Sequence, residues 1–100
     1  MQDYTNKVHK IITDNKTDTT TFIIQTDGDQ DFWWWQVDNT DIRDYFKTHN
    51  TGTNLVIALN GHITPTAADI FANDIDNTDK GTSGAAYETI DEILKEFNIL

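Results

Sequence analysis

Residues 32–37 read Phe-Trp-Trp-Trp-Gln-Val and hold all three tryptophans of a 100-residue chain. Successive side chains on a strand point to opposite faces, so three adjacent indoles cannot share one side. Trp33, Trp35 and Val37 fall on one face, and Phe32, Trp34 and Gln36 on the other. A sheet built around this segment needs helices on both faces, or it leaves Trp34 and Phe32 in an aromatic patch rimmed by aspartates. Aromatic patches with polar rims are the usual anatomy of a binding hot spot.

The neighbouring residues place the tryptophans on a hairpin. Residues 17–26 (TDTTTFIIQT) are rich in β-branched side chains, and Asp27-Gly28 is a strong hairpin-turn signal. Downstream, Asn39 or Thr40 can cap a helix over about 40–49, with Ile42, Tyr45 and Phe46 as its apolar stripe. The unbroken apolar run 54–59 (NLVIAL) reads as a strand, and Thr64-Pro65 starts a short helix. Residues 73–84 read as a polar loop. A last helix is expected from about 85 to 98, burying Tyr87, Ile90, Ile93, Leu94 and Phe97. In residues 3–14, Tyr4, Val8, Ile11 and Ile12 lie at i, i+4, i+7 and i+8, one face of a helix. Tyr4, Val8 and Ile12 would also share one face of a strand, and Thr5 and Thr13 add β character. The pattern leaves both open and leans to helix. The expected fold is α+β in a single domain, 1–100. Its sheet is small, mixed or antiparallel (β-hairpin 17–38 plus strand 54–59), packed by three or four helices.

Charge bounds the partners. Seventeen acids, fourteen of them Asp, face seven bases, for a formal net charge of −10. Such a chain disfavours direct contact with nucleic acid and anionic membranes and is drawn to basic surfaces or cations. It has no cysteine, which excludes disulfides and thiolate metal sites. The first residues lack an apolar signal core and no run is long enough to span a membrane, so an intracellular, cytoplasmic protein is expected. Six acids crowd residues 27–44: Asp27, Asp29, Asp31, Asp38, Asp41 and Asp44.

Catalytic and metal motifs are thin. Asp27, Asp29, Asp31 and Asp38 occupy positions 1, 3, 5 and 12 of a calcium-loop window, but position 6 is Phe32 where a sharp turn needs glycine. His9, His49 and His62 have no metal-ligand spacing. Ser83 lies outside any nucleophile-elbow pattern, and Gly81 and Gly84 lack the Gly-Lys-Ser/Thr of a phosphate loop. No cofactor or metal is expected.

These features lead to a non-enzymatic, acidic protein-binding module. Its partner-binding residues would be Asp27, Asp29, Asp31, Phe32, Trp34, Asp38, Asp41 and Asp44, and its partner a basic protein such as a nucleic-acid-processing enzyme. In size, acidity and lack of catalytic motifs the chain resembles small phage or mobile-element inhibitors, anti-CRISPR and anti-restriction proteins among them. That resemblance is one of general character, and it implies a nucleic-acid mimic. The alternatives are a small ligand-, cation- or sugar-binding module on the same hairpin, or a structural subunit or homo-oligomer joined by the aromatic face.

Overall fold

A computed structural model describes residues 5–49, 63–75 and 80–99. The strand expected at 54–59 lies outside them. The described elements are β1 (Asn6–Asp14), β2 (Thr19–Thr26), β3 (Phe32–Asp38), α1 (Asn39–Thr48), α2 (Pro65–Asp74), β4 (Thr82–Tyr87) and α3 (Ile90–Glu96). The strands form one antiparallel sheet in the order β1-β2-β3-β4. The protein is thus a small α+β fold, with a four-stranded antiparallel sheet and three helices among the described residues. None of these helices is long and apolar enough to cross a membrane.

The expected hairpin is present, and β2 pairs with β3 from Thr19↔Asp38 to Ile24↔Trp33. Two other expectations are corrected. Residues 3–14 were expected to favour helix, yet Asn6–Asp14 is the edge strand β1. The reason is a bulge: Val8 pairs with Ile24 and Lys10 with Ile23, so His9 is an extra residue that shifts the alternation. Val8 and Ile11 therefore pack on one face of the sheet and Ile12 on the other. A strand with one bulge repeats its apolar residues at i, i+3, which imitates one turn of a helix.

The second correction concerns the expected loop 73–84 and helix 85–98. Thr82–Tyr87 is strand β4, and α3 begins only at Ile90, behind Thr89, whose Oγ1 accepts the Glu92 amide at 3.3 Å. Pairing with β3 overrides the helix preference of Ala85 and Ala86. Gly84 permits that pairing, because a Cβ there would stand 2.5 Å from Trp34 Nε1. The start of α2 matches its sequence signal: Thr64 Oγ1 accepts the Ala67 amide at 3.1 Å, and Pro65 opens the helix.

Helices cover both faces. On one, Val8, Phe22, Ile24, Trp35 and Val37 pack against Ile42, Tyr45 and Phe46 of α1 and Ala67, Ala68, Phe71 and Ala72 of α2. Trp35 is fully buried, stacks on Phe71 at 5.2 Å and donates to Lys80 O at 2.8 Å. On the other face Ile23 meets Ile93 and Leu94 of α3, with Phe32, Trp34, Tyr87, Ile90 and Phe97 around them.

A buried polar knot sets α1 on the β1–β2 turn. Asn39 does not serve as the cap, a position held by Asp38 without a side-chain bond. Instead the Asn39 side chain accepts from Thr20 Oγ1 at 2.5 Å and donates to Asp18 Oδ1 at 3.1 Å, while Arg43 reaches Asp18 Oδ2 at 3.3 Å.

The β1 edge is also closed. Asn73 of α2 accepts the Asn6 amide at 2.6 Å and donates to Asn6 O at 2.9 Å, as a neighbouring strand would. Asp69 accepts the Val8 amide at 2.8 Å. An unpaired edge invites pairing with another chain, and these side chains remove that opening. Asn73→Ala leaves partly buried backbone groups without partners and should cost about 1–3 kcal/mol. Urea unfolding should show a lower midpoint; a midpoint equal to the parent's would refute the edge role.

Candidate functional site

The eight residues expected to bind a partner do not form one surface. Asp27, Asp29 and Asp31 are exposed in the β2–β3 turn, whereas Asp38, Asp41 and Asp44 cap or line α1. Phe32 and Asp38 are six strand steps apart, roughly 20 Å at about 3.3 Å per residue. The aspartates therefore gather at opposite ends of β3.

The two ends differ electrostatically. At the α1 end Lys80 lies 3.7 Å from Asp41, Lys47 lies 3.9 Å from Asp44, and Arg43 pairs with Asp18. Three of the seven bases thus sit against acids of this end. At the turn, no lysine or arginine among the described residues comes within ion-pair distance of Asp27, Asp29 or Asp31. Lys7 lines the same cleft as Asp27 and Asp29.

The turn is held from within. Thr5 O accepts the Asp27 amide at 2.7 Å, and Thr26 O accepts the Asp29 amide at 3.0 Å. Gln25 Nε2 donates to Asp29 O at 3.0 Å, and Trp33 Nε1 donates to Thr26 Oγ1 at 3.0 Å. Between them opens a cleft of about 390 Å³ lined by Thr5, Lys7, Gln25, Thr26, Asp27 and Asp29. Its chemistry is that of hydrogen bonding and charge, with no aromatic floor. Among the described residues no three His, Asp or Glu side chains gather as a metal site.

Phe32 and Trp34 are half-buried. Trp34 meets Phe97 edge to face at 5.1 Å and reaches Tyr87 Oη at 3.4 Å, and Phe32 meets His9 edge to face at 5.3 Å. Both contribute to the packing beneath α3 and present only part of their surface to solvent. Glu96 accepts the Tyr87 hydroxyl and raises its pKa.

A second cluster was not anticipated. Tyr45, buried on α1, stacks on His49 at 4.4 Å, and the Asp74 carboxylate at the end of α2 acts on its hydroxyl. His49 Nε2 lies 3.9 Å from Asp74 Oδ2. Beside them is an open pocket of about 310 Å³ that also touches Asp41, Asp44 and Lys80. Periodicity marks Tyr45 as core and nothing more, because its partner is 29 residues away. Burial pushes the Tyr45 phenol up to about 12, aided by the Asp74 carboxylate. At neutral pH the phenol is protonated.

Comparisons with protein-family models, curated proteins and solved structures give no match. Geometry and charge alone therefore bear on function.

The Tyr45 environment sets an alkaline limit. The fold favours the neutral phenol, so its contribution is full below about pH 10 and is lost as pH rises through about 12. Glu96 also raises the Tyr87 phenol, so the reading is made in a Tyr87→Phe background. Tyrosinate absorbance there should show a late-titrating phenol that adding Tyr45→Phe removes, together with the alkaline loss of stability. Retention of the late step in the Tyr45→Phe, Tyr87→Phe double variant would refute the assignment.

Proposed function

We propose that this domain is a non-enzymatic acidic module that docks on a basic protein surface, leading with the β2–β3 turn. The observation that carries the reading is the contrast between the two acidic ends. Asp41 and Asp44 have lysines beside them, while Asp27, Asp29 and Asp31 project without a basic partner among the described residues. With a net charge of −10 behind them, those carboxylates attract a cationic surface from a distance. A groove built to hold phosphates, as in a nucleic-acid-processing enzyme, is the class of partner that such a surface fits. Inhibition would then follow from occupancy of the groove.

Phe32 and Trp34 belong to this reading in a smaller role. Each is half-buried under α3, so they can add apolar contact at the rim but do not form a free aromatic patch. Encounter rates depend on the turn's charge, and release depends on the contact area that forms behind it.

The test is capture from host lysate followed by elution in a salt gradient. The triple variant Asp27→Asn, Asp29→Asn, Asp31→Asn is compared with Asp41→Asn, Asp44→Asn. The turn variant should lose roughly tenfold or more of the association rate with the captured partner at low salt. The α1 variant should lose less. A partner that stays bound at high ionic strength, and equally to both variants, would rule out the charge-led reading.

A further inference from the structure

The β2–β3 turn carries a reactive peptide link. We propose that Asp27-Gly28 is a site of spontaneous backbone isomerisation in the folded protein, converting Asp27 to an isoaspartyl residue. The inference stands on covalent geometry and does not depend on the binding reading above.

The reaction needs a backbone amide nitrogen free to attack the carboxyl carbon of the preceding side chain. Three observations select this pair. Asp27 and Gly28 are both exposed. Gly28 has φ +91° and nothing within 4 Å of where a Cβ would stand, so neither its own side chain nor a neighbour's hinders closure of a five-membered ring. The adjoining amides are engaged, Asp27 N with Thr5 O and Asp29 N with Thr26 O, whereas no acceptor among the described residues takes the Gly28 N–H.

The other aspartates of this region are less well placed. Asp29 and Asp31 precede Gln30 and Phe32, whose side chains crowd the attacking nitrogen. Asp38 precedes Asn39, whose amide donates to Asp18 O at 2.9 Å. Asp41 and Asp44 lie within α1, where helix geometry holds the following amide away from the side chain.

The chemistry balances without a co-reactant other than water. Gly28 N attacks Asp27 Cγ, the C–O bond of the carboxyl hydroxyl breaks, and one water leaves to give the cyclic imide. Water then opens the ring. Attack at the former side-chain carbonyl restores the original link. Attack at the main-chain carbonyl leaves Gly28 joined through Cγ, with a new carboxylate on Cα. Mass and charge are unchanged, but the main chain gains a methylene inside the loop closed by the Asp29 N to Thr26 O bond.

The experiment incubates the intact protein at neutral pH for several weeks, folded and in concentrated urea, followed by digestion after Lys and Arg. Asp27 then lies in peptide 17–43, and the chain's other Asx-Gly pair, Asn60-Gly61, in 48–80. The expected result is a second chromatographic form of 17–43 in the folded sample, equal in mass. Electron-driven fragmentation should place the β-linkage between 27 and 28. Asp27→Glu, which keeps the charge but would need a six-membered ring, should lose that form. An isomer found only in the urea sample, or placed at Asp29, Asp31 or Asp38, overturns the proposal.

Discussion

β3 has to be buried from both sides, and most of the architecture follows from that demand. Trp35 lies fully buried under α1 and α2, while its neighbour Trp34 turns to the opposite face beneath α3. An aromatic side chain removes about 150–250 Å² from water, at about 25 cal/mol per Å². That is several kcal/mol before entropy is counted, whereas an exposed ion pair contributes about 0–1 kcal/mol. The ion pairs on α1 therefore do not hold the fold. The tryptophans and the helices that cover them do, and Gly84 is part of the same solution because Trp34 occupies the space a Cβ would need.

Polar groups then determine how the layers are joined. Asn73 and Asp69 attach α2 to the β1 edge through main-chain bonds, and Asn39 ties α1 to Thr20 and Asp18 at the opposite end of the sheet. Each replaces a partner that an unpaired strand or helix end would otherwise seek in water or in another chain. No ion pair among the described residues ties Asp27, Asp29 or Asp31 of the turn to either helix.

The β2–β3 hairpin was legible in the sequence, because β-branched runs and Asp27-Gly28 act locally. β1 was not, since one bulged residue at His9 gives Val8 and Ile11 the spacing of a helix. β4 was not, since Thr82–Tyr87 has small side chains and owes its conformation to pairing with β3. The candidate site was legible in its residue types but not in its grouping. Six nearby aspartates read as one acidic run, yet β3 carries Asp38 to the far end of the sheet from Asp31. The contact of Tyr45 with Asp74 joins two helices that are distant in sequence, and no local pattern announces it.

The most direct test of two-sided burial is tryptophan fluorescence in three single-tryptophan proteins, the other two indoles being replaced by phenylalanine. Emission maxima and acrylamide quenching would be read for each. The account predicts that Trp35 emits furthest to the blue and resists quenching. Trp33 and Trp34 should be intermediate, and Trp34 should become fully quenchable when Phe97→Ala removes its edge-to-face partner. A Trp34 that emits like free indole in water and is quenched without hindrance in the parent background would contradict it. The sheet would then be covered on one face only.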